Sequence, residues 1–131
     1  MNNAAVRPDI RESITLLLLE EEVIVRASLA EYLRSCGYRV LEAHNAAEAL
    51  TILQESSENI RVVLSGAQNG FRLSGWLKAN RPKVKLVLAA TPERAAQAAA
   101  GLCDAGPHGK RPYDPQLLAQ KIRAHLARGG S

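Results

Sequence analysis

Ile14-Thr15-Leu16-Leu17-Leu18-Leu19-Glu20-Glu21-Glu22-Val23-Ile24-Val25-Arg26 sets a nearly unbroken aliphatic run directly before three carboxylates. A strand that is apolar on consecutive residues, not alternate ones, has both faces covered, as at the centre of a parallel sheet. The run is far too short to cross a bilayer, and the glutamates end it. Residues 14–19 are therefore expected to form a central buried strand with acid at its carboxyl end. Beyond it the period changes. Within residues 22–36, Val25, Leu29 and Leu33 recur at a spacing of four, the stripe of a helix, and Gly37 follows where a helix stops in the left-handed region.

The alternation continues along the chain. Residues 38–42 form a second short strand, and Ala46, Ala49, Leu50 and Leu53 repeat at helical spacing behind Asn45, a good cap. Residues 60–65 are a third strand. Residues 71–80 form a third helix, with Leu73, Trp76 and Leu77 inward, that stops before Pro82; residues 84–89 are a fourth strand. Pro92 suits a first helical turn, and the alanine-rich residues 93–103 favour a fourth helix. Asp114 and Pro115 open a last helix carrying Leu118, Ile122 and Leu126, and a fifth strand is expected near residues 108–111. Strands alternating with helices read as βαβ units.

The chain has 131 residues, 47% hydrophobic and 23% charged, with aromatics at only 4%, so one aliphatic core is expected. The domain is expected over residues 14–128, between a flexible segment at 1–13 and a short tail at 129–131. The net charge of +4 comes from 17 basic and 13 acidic residues without a long block of one sign, which makes nucleic acid an improbable partner. Arg72, Lys78, Arg81, Lys83 and Lys85 lack interleaved aromatics and read as a solvated face. Cys36 and Cys103 are far apart and belong to no C-x-x-C grouping, so they are expected to be reduced, semi-buried helix residues, with neither zinc nor a disulfide. Residues 1–13 are polar and broken by Pro8, unlike a signal peptide, and no run can span a membrane, so cytoplasmic residence is expected.

The quoted opening, with Tyr32-Leu33, Gly37-Tyr38-Arg39-Val40, Ala47-Glu48-Ala49-Leu50, Ala105-Gly106 and Arg111-Pro112-Tyr113, resembles the receiver domain of response regulators. The likeness extends over roughly nine-tenths of the chain, the span of one domain. It implies a doubly wound (βα)5 flavodoxin-like, or CheY-like, three-layer α/β sandwich with parallel strand order 2-1-3-4-5. Such sheets bind ligands beyond the carboxyl ends of their strands. The family gathers acids there: two from the first strand hold Mg²⁺, and an aspartate from the third attacks a phosphoryl group. A hydroxyl after the fourth strand and a lysine after the fifth complete the site.

On that pattern Glu20 and Glu21 are the acidic pair, but Gly66 stands at the phosphoacceptor position. Glycine has no nucleophile, and the chain's three aspartates, Asp9, Asp104 and Asp114, fall elsewhere. The neighbouring Ser65 should point to the opposite face of its strand unless the strand bulges. The connection from Gly66 to Asn69-Gly70-Phe71 is shorter than in the family. Either Thr91 or Ala90 takes the hydroxyl position. Arg111 replaces the lysine, and arginine is not its equivalent; it is expected to pair with a glutamate in place of metal or to be solvated. His108 falls at the family's switch-aromatic position.

The resemblance therefore implies a degenerate, stand-alone pseudo-receiver that is not an enzyme, needs no cofactor and holds Mg²⁺ at most weakly. Its expected partners are a histidine kinase, a phosphotransfer protein or another regulator. The surface of residues 95–100, 108–110 and 116–128 is rich in small residues, and a homodimer through it is a testable use. Two alternatives remain open: a conventional Mg²⁺-dependent receiver phosphorylated at another residue, and a small-ligand module that uses the vacated pocket over Gly66.

Overall fold

The aliphatic run forms β1 (Thr15–Leu19), buried along its whole length, in a computed structural model that describes residues 14–56 and 58–129. Residues 1–13 and 130–131, where the N-terminal segment and most of the tail were expected, lie outside the described residues. Consecutive side chains of a strand point to opposite faces. Leu16 and Leu18 enter one core and Leu17 and Leu19 the other, which is why the run needs no polar residue. Burying each leucine contributes roughly 1.5–3 kcal/mol.

β2 (Arg39–Ala43) and β3 (Ile60–Ser65) flank β1 in parallel, and β4 (Lys85–Leu88) pairs parallel with β3. α1 (Val23–Ser35) buries Val25, Leu29 and Leu33, as its stripe requires. It ends at Gly37, whose φ of 104° lets its amide donate to the Arg34 carbonyl while that of Tyr38 donates to Leu33. α2 (Ala46–Glu55) is capped by Asn45, whose side chain accepts the Glu48 amide at 2.8 Å. α3 (Ala67–Asn80) starts at Ala67, not at the expected residue 71, because the Gly66 carbonyl accepts the Gly70 amide and brings the short connection into the first turn. Trp76 is only half-buried, with the Arg81 guanidinium 5.6 Å from its ring centroid. α4 (Pro92–Ala105) begins with proline in its first turn, and α5 (Pro115–Gly129) follows Asp114, whose carboxylate accepts the Gln116 amide.

Three expectations need correction. The sheet has four strands in order 2-1-3-4 among the described residues, not five, since residues 106–114 are irregular. Pro107 has no amide to donate, Gly109 sits at φ 71°, and residues 108–111 have no aliphatic side chain to seat on a sheet. The cysteines are joined: Cys36, capping α1, and Cys103, in the last turns of α4, form a buried disulfide with Cα atoms 5.5 Å apart. The small residues of α4 do not form a surface. Ala95, Ala96, Ala99 and Ala100 are buried in the core that α4 shares with α1 and α5.

The sheet thus carries α1, α4 and α5 on one face and α2 and α3 on the other. Without a fifth strand to carry the chain back, α5 starts at the amino-terminal edge of the sheet. Tyr113 packs edge-on against Tyr32, near the end of α1, and the Tyr32 hydroxyl donates to the Tyr113 carbonyl at 2.6 Å. Lys121 then reaches Glu31, and Arg123 reaches Glu93 in the first turn of α4, so α5 runs antiparallel to both helices.

Candidate functional site

At the carboxyl edge of the sheet, the residues following β1, β3 and β4 surround a depression of about 310 Å³ lined by Glu20, Glu21, Glu22, Gly66, Asn69 and Ala90. Parallel strands that end together create this crevice. The Glu20 carboxylate turns back to accept the Glu22 amide at 2.9 Å. Burial pushes its pKa above the ordinary 4.5; Glu21 and Glu22 push the same way, against the Glu22 amide and Arg26. Glu21 lies exposed and accepts from the Asn69 amide at 3.4 Å.

Gly66 caps α3 through its backbone alone, at φ −65° and ψ 160°. A Cβ placed there would meet nothing within 4 Å, so its position above the acids is open space. Ser65, by contrast, is buried at 3% exposure, and its hydroxyl donates to the Gly66 carbonyl at 2.8 Å. The bulge in the β1–β3 register falls at Thr15 and Leu16, far from Ser65.

Of the two hydroxyl positions, Ala90 lines the depression. Thr91 caps α4, its oxygen accepting the Arg94 amide at 3.1 Å. Arg111 does not join Glu20 or Glu21: it forks onto Asp104, with Nη2 3.0 Å from Oδ2, at the other end of the molecule. His108 also lies at that end, over the Gly37 turn. Both expectations fail for one reason: no fifth strand carries these residues to the carboxyl edge.

The cation of the site is instead Arg26. Its Nη1 donates to the Glu20 carbonyl at 2.8 Å and its Nε to Glu42 at 3.2 Å, with the side chain only 18% exposed. The sequence offered a faint signal for it, a single arginine one helical turn beyond the acidic run. Among the described residues no three His, Cys, Asp or Glu side chains converge as metal ligands.

No protein-family model matches the sequence. It is 26% identical over 120 residues to a transcriptional regulatory protein, YvrH, of Bacillus subtilis, covering 89% of this chain and 51% of that protein. It is 27% identical over 121 residues to a probable transcriptional regulator, ycf29, of Pyropia yezoensis, covering 88% and 54%. The chain therefore spans about half the length of these curated relatives. The structure superimposes on a response regulator receiver domain protein from Clostridium thermocellum with a TM-score of 0.57, at 20% identity, over 89% of this chain and 97% of that one. The fold is that of a response-regulator receiver domain. At its carboxyl edge this chain has a glycine after β3 and an alanine after β4, while Arg111, from the segment after α4, lies at the opposite end on Asp104. Among the described residues no helix is long and apolar enough to cross a membrane.

Proposed function

We propose that this chain is a pseudo-receiver of two-component signalling, one that acts through phosphorylation-independent contact with other proteins. The observation that carries this reading is Gly66, at the carboxyl end of β3, with no side chain and open space above it. A phosphoryl acceptor must project a nucleophile into that space. The nearest hydroxyl, Ser65, is buried and already bonded to a carbonyl.

The donors around the depression also fit Mg²⁺ poorly. The ion demands near-octahedral oxygen coordination. Here one Glu20 oxygen is turned to the Glu22 amide, Glu21 faces an amide side chain, and the Arg26 guanidinium sits on the Glu20 carbonyl. Catalysis is not expected of such a site. Its output is binding to a histidine kinase, a phosphotransfer protein or another regulator, and the names of the curated relatives favour a regulatory setting.

The test is an amide NMR spectrum recorded before and after Mg²⁺ and then acetyl phosphate, with intact mass on the same sample. Unchanged peaks at the depression and unchanged mass are expected. A gain of one phosphoryl group would overturn the proposal.

A further inference from the structure

With residues 106–114 irregular, β4 is left as an edge, and among the described residues no strand pairs with its outer side. The Ala89 amide donates inward to the Ser65 carbonyl. Amides and carbonyls alternate sides along a parallel strand, so those of Leu86 and Leu88 face outward. An unpaired row of this kind is a template for another strand. Val84, Leu86 and Leu88 share the face turned to α3, and beside them a groove of about 270 Å³ opens between β4 and α3, lined by Leu77, Val84 and Leu86. Leu88 is 38% exposed at its end.

The charged residues lining this groove are of one sign. Between Glu58 and Glu93 the sequence has no acid and six cations, Arg61, Arg72, Lys78, Arg81, Lys83 and Lys85. Lys78 and Arg81 stand on the rim of the groove, and Lys83 and Lys85 bracket Val84 at the start of β4.

We propose that the β4 edge takes an extended acidic segment of a partner protein as an added strand, with alternate aliphatic residues seated in the groove against α3. Backbone hydrogen bonds to Leu86 and Leu88 supply affinity, while the groove and the cations select the sequence. A second copy of this chain is the poorer occupant, because it would bring the same lysines and arginines together.

The probe is a fluorescein-labelled octapeptide alternating glutamate and valine. It is compared with its lysine–valine counterpart and with a version N-methylated on alternate residues. Anisotropy measures affinity, and amide shifts and hydrogen exchange on the isotope-labelled protein locate binding. The acidic peptide is expected to shift and protect the amides of Leu86 and Leu88 and to weaken as salt rises. N-methylation should reduce affinity about tenfold or more, since each lost hydrogen bond is worth about 1 kcal/mol. The exposed charge reversals Lys83→Glu and Lys85→Glu should weaken it while leaving the fold intact. Equal binding of the basic peptide, indifference to N-methylation, or shifts confined to other surfaces would overturn the proposal, as would peptide-free, concentration-dependent shifts at β4, which would mark self-pairing. None of these outcomes involves Gly66, so this inference and the pseudo-receiver reading fail separately.

Discussion

Replacing Gly66 with aspartate tests the pseudo-receiver proposal. The backbone there, at φ −65° and ψ 160°, suits any residue, and a Cβ meets nothing within 4 Å, so the variant should fold without strain. Gly66 is also the cap of α3 and offers that helix no side-chain acceptor. An aspartate supplies one, worth a few tenths of a kcal/mol over glycine, with about 0.3–1 kcal/mol more from its charge at the helix start. Restricting the unfolded chain adds about 0.4–1 kcal/mol. Repulsion from Glu20, Glu21 and Glu22 opposes these gains and is screened by salt. At high salt the net gain should be about 1 kcal/mol, or a rise of about 4 °C in Tm by calorimetry for a domain of this size. At low salt the gain should shrink, and Mg²⁺ should restore it, because the aspartate adds a carboxylate to those of Glu20, Glu21 and Glu22 around the depression and the ion relieves their repulsion. Acetyl phosphate should still leave the variant unmodified, since Ala90 offers no hydroxyl, the Thr91 oxygen caps α4, and Arg111 is bound to Asp104. A fall of several degrees in Tm would refute the argument from open space. A phosphorylated variant would show that the nucleophile alone was missing.

Glu20 makes stability depend on pH. Its folded pKa lies above the ordinary 4.5, so the native state holds the proton more tightly than the unfolded chain, and stability falls as pH rises from 4.5 through the folded value. Glu20→Gln should flatten that fall in urea midpoints taken between about pH 4 and pH 7; parallel curves for the two proteins would contradict the assignment. The Cys36–Cys103 bond closes a separation of 67 residues, and its loss should cost about 4 kcal/mol by chain entropy. A denaturant midpoint indifferent to reductant would show that the bond is not formed in solution. Gly106→Ala would press a methyl to 2.8 Å from the Leu102 carbonyl and 2.7 Å from the Tyr38 hydroxyl, which are themselves hydrogen-bonded at 2.7 Å. A loss of about 1–3 kcal/mol is expected from the overpacking, read from equilibrium unfolding, and an unchanged midpoint would mean this corner is slack.

The sequence by itself determined the local elements and the glycine that follows β3. β1 was legible because six consecutive residues, 14–19, are nearly all aliphatic and only a doubly covered strand tolerates that. α1 with its Gly37 stop and α2 with its Asn45 cap were legible because periods and caps are short-range features. Gly66 was legible because the identity of a residue needs no geometry. What depends on contacts between distant residues was decided only by the tertiary structure. The weak segment at 108–111 had to compete for the β4 edge and did not take it, and this single outcome moved Arg111 and His108 to the far end and reversed α5. The choice between Ala90 and Thr91 turned on where α4 begins. The alanines of α4 carry the same helix propensity inside or outside, so only packing against α1 and α5 could bury them. Cys36 and Cys103 came together for the same reason: their pairing is set by where two helix ends meet, which no spacing along the chain records.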